Sequence, residues 1–104
     1  MVAPEDAVKL GLVLATPGGL AHAAALAHAA RRQRHEVALF VMDAGVVALA
    51  AEPAIAERLL DDDCEIMVCS NSAVGVDLPA GVDLGSQDDH AAVLGTSDRV
   101  IALT

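Results

Sequence analysis

The chain has 104 residues, a formal net charge of −9 at pH 7 from 15 acidic and 6 basic residues, and 55% hydrophobic but only 1% aromatic residues. The length suits one domain with one hydrophobic core, built here from Val, Leu, Ile and Ala. The acidic balance argues against direct nucleic-acid binding, which depends on Lys and Arg releasing counterions, and the lone aromatic Phe40 argues against base-stacking modules.

At the start of the chain, Glu5 and Asp6 stand where an export signal would carry positive charge. Val8 to Ala15 (VKLGLVLA) is a nearly continuous apolar run and predicts a strand buried on both faces. Thr16-Pro17-Gly18-Gly19 ends it, with Thr16 placed to cap a helix and Pro17 suited to its first position. The following helix is expected over Leu20 to Arg34, with Arg31, Arg32 and Arg34 complementing its C-terminal dipole. Its apolar part, Leu20 to Ala30, is too short to span a bilayer and is interrupted by His22 and His28.

Glu36 to Met42 (EVALFVM) predicts a second strand, and Asp43 a cap for a short helix over Gly45 to Ala51. Pro53 restarts a helix that continues over Ala54 to Leu60, and Asp61-Asp62-Asp63 reads as a solvated acidic turn. Cys64 to Cys69 (CEIMVC) predicts a third strand, after which Ser70-Asn71-Ser72 would cap a short turn of helix. A short fourth strand is expected at Val82 to Leu84. Ser86 with Asp89 resembles a capping box for a helix over Gln87 to Leu94, closed by Gly95. Arg99 to Leu103 (RVIAL) is the last strand.

Strands alternating with helices predict a three-layer α/β/α fold, flavodoxin-resembling, with a mainly parallel sheet of four to five strands. In such sheets ligands bind beyond the carboxyl ends of the strands. Three segments fall there: Thr16 to Gly19, Asp43 to Val46, and Cys69 to Ser72. Cys69 closes its strand just before helix-capping residues, a position where backbone N–H groups stabilise a thiolate. Free cysteine also serves as a small buried hydrophobe, so reactive and structural readings both stand at this point.

Cys64 lies five residues earlier, pointing to the opposite face, and about 16 Å away along an extended strand. That separation excludes a disulfide between the two and a thioredoxin-like pair. Two cysteines without a disulfide framework place the protein in the cytoplasm. His22 and His28 are six positions apart, on different helix faces, and no Cys–His cluster has zinc spacing, so no metal is expected. His22, one turn into its helix, is a candidate to line a site at the strand ends. Thr16, Gly18 and Gly19 could cradle a phosphate, as in a nucleotide- or flavin-binding domain, but the turn lacks the G-x-G-x-x-G and Walker patterns, and no cofactor is expected.

Several segments together resemble the DsrE/DsrF-like family of small sulfur-relay proteins, which includes the Tus-type tRNA-thiolation subunits. They are His35-Glu36-Val37 leading into Leu39-Phe40-Val41-Met42, the Asp43-Ala44-Gly45-Val46 turn, Glu65-Ile66-Met67-Val68-Cys69-Ser70-Asn71-Ser72-Ala73, and Ser97-Asp98-Arg99-Val100-Ile101-Ala102-Leu103. The resemblance implies a parallel α/β/α fold, homo- or hetero-oligomers, sulfur donor and acceptor proteins as partners, and a persulfide-carrying cysteine at Cys69. By the strand-end rule, independently of the resemblance, Asp43, Ser70, Asn71 and Ser72 are the expected binding residues around it, with Thr16, Gly18, Gly19 and His22 further along the strand ends. The competing expectation is a non-catalytic α/β binding or assembly subunit with an inert Cys69.

Overall fold

A computed structural model describes residues 7–104, so Glu5 and Asp6 lie outside the described residues. The elements in chain order are β1 (Lys9–Leu14), a 3-10 turn (Pro17–Gly19), α1 (Leu20–Arg32), β2 (Glu36–Val41), α2 (Ala44–Ala51), α3 (Pro53–Asp61), β3 (Glu65–Cys69), β4 (Asp83–Gly85), α4 (Gln87–Thr96) and β5 (Arg99–Leu103). The five strands form one parallel sheet in the order β4-β3-β2-β1-β5. The layering is flavodoxin-like, while the strand order is different.

The chain steps from β1 through β2 and β3 to β4 in one direction, then returns through α4 to place β5 beside β1. Right-handed crossovers put helices from opposite directions on opposite faces. The contacts agree. On one face Leu12, Leu14, Val37, Leu39, Val41, Ile66 and Val68 form the main core with Leu20, Ala23 and Ala27 of α1, Leu49 of α2 and Leu59 of α3. On the other face α4 is the one helix that packs among the described residues. A methyl group at Gly11 would meet Ser97 Oγ at 2.5 Å and Val93 Cγ1 at 3.3 Å, so this glycine lets α4 approach β1 closely. Phe40, fully buried, stacks on His90 of α4 with ring centroids 4.8 Å apart.

Several boundaries differ from the sequence reading, each for a local reason. Helix α1 stops at Arg32 because Arg34 takes a left-handed conformation (φ 66°). The His35 N–H then bonds the Ala30 carbonyl and the Arg34 N–H the Arg31 carbonyl, a Schellman ending in which arginine replaces the usual glycine. The acidic turn does the same for α3. Asp63 (φ 61°) is left-handed, with Cys64 N–H on the Leu59 carbonyl and Asp63 N–H on the Leu60 carbonyl. Asp62 also holds His28 Nδ1 at 2.9 Å, and its carbonyl takes Arg31 Nε at 2.9 Å. The run therefore ties α1 to α3.

The expected helix after Cys69 is a series of turns with one helix-like bond, Ala73 N–H to the Cys69 carbonyl at 3.0 Å. The rest of that connection sends Val76, Leu78 and Val82 against the core instead. Strand β4 covers Asp83–Gly85, one residue later than Val82 to Leu84. Helix α4 continues through Gly95 because hydroxyls cap its end: Thr96 Oγ1 donates to the Ala92 carbonyl and Ser97 Oγ to the Val93 carbonyl. The Ser86–Asp89 capping box is present in both directions. Thr16 precedes the 3-10 turn but makes no side-chain cap bond, nor does Asp43 before α2. No helix among the described residues is long and apolar enough to cross a membrane.

Candidate functional site

Strand β3 lies between β2, whose following helices cover one face, and β4, whose following helix covers the other. Such a division of chain paths opens a crevice beyond the strand ends, the usual ligand position in α/β sheets. Cys69 is the last residue of β3, and its side chain lies on the α4 face, paired in register with Gly85. It is only 4% exposed, under a shallow cover that includes Asn71, Ser72 and, at the start of α4, Gln87.

The groups around the sulfur are donors. The Ser72 hydroxyl, the Ser72 and Asn71 backbone N–H groups and the Gln87 amide together hold the Cys69 thiol below its ordinary value, against the opposing effect of burial. Gln87 Nε2 sits 3.6 Å from Sγ. Bonds from such donors strengthen and shorten once the sulfur carries charge. Ser72 is itself oriented, since its Oγ accepts the Asp43 N–H at 3.0 Å and so keeps its proton free for the sulfur. Asp43 occupies φ 51°, ψ −136°, the first central position of a tight turn closed by Gly45 N–H on the Met42 carbonyl. That strained conformation aims its N–H at the neighbouring strand end.

Of the residues expected near the site, Cys69, Asn71, Ser72 and Asp43 are thus brought together. Ser70 is adjacent but exposed, and its N–H continues the ladder to the Gly85 carbonyl at 2.9 Å. Thr16, Gly18 and Gly19 gather at the end of β1, two strands away, or about 10 Å at ordinary strand spacing. Gly19 serves packing there: a methyl group on it would meet Leu14 Cδ1 at 2.8 Å and Leu103 Cβ at 2.9 Å. Pro17 and Gly18 line a groove with Leu20, Ala48 and Ile55 on the α1–α3 face. His22 is exposed on α1, across the sheet from the Cys69 side chain.

Sequence reasoning missed Gln87. The Ser86–Asp89 box located the start of α4, but only the pairing of β4 beside β3 carries that start to the sulfur.

Cys64 is the opposite kind of thiol. It is buried in the core cluster on the other face, where burial first, then Asp62 and Asp63, push it up to about 11. Both cysteines are free. Among the described residues no group of three or more His, Cys, Asp and Glu side chains is arranged to hold a metal ion.

No curated protein matches the chain. A comparison with protein-family models, however, matches the DsrE/DsrF-like family over residues 10–103, from β1 to the end of β5. That span takes in the Cys69 strand, the turn that follows it and every helix, and the chain belongs to the DsrE/DsrF-like family.

Proposed function

We propose that the protein is a sulfur-relay carrier in which Cys69 accepts and donates one sulfur atom as a persulfide. The observation that carries this reading is the set of donors from Ser72, Asn71 and Gln87 around the Cys69 sulfur, in a chain of the DsrE/DsrF-like family. A thiolate, not a thiol, is the nucleophile in sulfur exchange, and these donors favour it.

In the loading step the Cys69 thiolate attacks the outer sulfur of a donor persulfide, R–S–SH. The new Cys69 S–S bond forms as the donor's S–S bond breaks, and the donor leaves as R–S⁻. In the unloading step an acceptor thiolate attacks the outer sulfur of Cys69–S–SH, and Cys69 departs as thiolate. No net oxidation occurs in either step, so one cysteine suffices and Cys64 has no part. The same donors that stabilise the thiolate nucleophile also stabilise it as the leaving group. Sulfur donor and acceptor proteins are the partners, in homo- or hetero-oligomers, within the reducing cytoplasm where both cysteines stay free.

Cyanolysis measures the loading. After incubation with a small-molecule persulfide and removal of excess donor, the native protein and Cys64→Ser should release about one thiocyanate per chain, as the one-thiol exchange requires. Cys69→Ser should release none. Equal release from Cys69→Ser would defeat the proposal, and absence of release from all three would favour the binding or assembly subunit with an inert Cys69.

A further inference from the structure

The Gln87 side chain has two unlike ends, and only one of them helps a thiolate. Its amide N–H donates; its carbonyl oxygen only accepts and would repel the charged sulfur. The amide is placed with Nε2 toward Cys69 Sγ and Oε1 toward His90 Nδ1, 3.2 Å away. Whatever holds Oε1 therefore decides what Cys69 meets.

We infer that His90 is a positioning residue for Cys69: its Nδ1–H holds the Gln87 carbonyl and so turns the Gln87 amide N–H onto the sulfur. This rests on the reading of Cys69 as the working thiol. The ring is fixed independently of the cysteine. It stacks on the fully buried Phe40 with an interplanar angle of 15°. Its backbone N–H bonds the Ser86 carbonyl at 3.1 Å in the first turn of α4, which the Ser86–Asp89 box anchors. Gln87 and His90 are three positions apart and share one helix face. The Nδ1–H tautomer and the imidazolium both donate to Oε1. The Nε2–H tautomer would instead accept at Nδ1, reverse the amide and present its oxygen to the sulfur.

The test is the pH–rate profile of iodoacetamide alkylation, with the labelled cysteine identified by peptide mass spectrometry. His90→Phe keeps an aromatic ring over Phe40 but removes the donor. It should leave about threefold to tenfold less Cys69 thiolate at a pH below the midpoint, the scale of one ordinary hydrogen bond, since the Gln87 contact is long at 3.6 Å. Gln87→Leu should do the same, and the double variant no more than either alone, as expected for residues acting in series. His90→Asn places an amide N–H near the position of Nδ1–H and should recover most of the native profile. A native profile in His90→Phe overturns the inference, as does a folded His90→Asn that recovers nothing. Shifted profiles in the variants, beside a native protein that takes up no sulfur, would count against the relay while the positioning role stands.

Discussion

Ser72→Ala removes one hydroxyl and leaves the backbone of the 69–72 segment in place. That hydroxyl is the largest of the influences holding the Cys69 thiol down. A hydrogen bond to a charged group contributes about 1.5–3 kcal/mol, and water competes under so shallow a cover, so the lower figure applies. About 1.4 kcal/mol corresponds to tenfold less thiolate at a pH below the midpoint. Part of the loss is offset, because a more basic thiolate is a better nucleophile: a Brønsted slope of about 0.4–0.5 returns roughly threefold. Alkylation by iodoacetamide should therefore slow about threefold to fourfold below the midpoint and run roughly threefold faster than native well above it. The two profiles must cross. The Asp43 N–H that loses its acceptor belongs to an exposed residue, where water can replace the bond, so stability should change by under about 0.5 kcal/mol. Uniform slowing at every pH, or superimposed profiles, would refute the donor argument.

Three further outcomes follow from the same geometry. Cys64 ionises at 9.0 in an ordinary setting and at about 11 in the fold, so the unfolded chain loses that proton first. Its stabilisation is intact below the unfolded value and is lost as pH rises through the folded one, by up to about 3 kcal/mol. Urea unfolding across that window should show the decline, and Cys64→Ala should flatten it; equal slopes would contradict the assignment. Gly45→Ala lies inside α2, where helix propensity alone predicts a gain of about 1 kcal/mol. The added methyl group would sit 2.8 Å from the Leu14 carbonyl oxygen, which is backbone and cannot swing aside, so a net loss of about 1–3 kcal/mol is expected in thermal melts. Asp43→Gly relieves a positive φ and removes no capping bond, so Tm should hold or rise; a clear fall would mean that the Asp43 side chain does structural work.

Much of the architecture was legible in local chemistry. The apolar runs of β1, β2 and β3, Pro53 at the start of α3 and the Ser86–Asp89 box each specify their element through neighbouring residues alone. What escaped is of two kinds: residues in an unusual conformation at helix ends, and contacts between segments distant in sequence. Arg34 and Asp63 end their helices in a conformation that glycine usually takes, and the bonds they allow stabilise them there. The segment after Cys69 carries helix-capping residues but stays in turns, because Val76, Leu78 and Val82 are drawn to the core. Cys69, Ser72 and Asn71 were visible together because they are contiguous. Asp43 was placed near them by the rule for strand ends. Gln87 and His90 come to the same site only through the pairing of β4 with β3 and the stacking of His90 on Phe40, and nothing in their own neighbourhoods signals that.

The central claim is that Cys69 both takes up and releases a single sulfur atom, and single-turnover transfer followed by intact-protein mass spectrometry tests it most directly. Native protein is loaded from a persulfide donor, freed of donor, and mixed with a thiol acceptor while both are weighed over time. The account predicts a reducible gain of one sulfur atom on Cys69, followed by its stoichiometric appearance on the acceptor, with Cys69→Ser inactive in both steps. A native protein that gains no sulfur while a control thiol loads, or a gain located on Cys64, would contradict it.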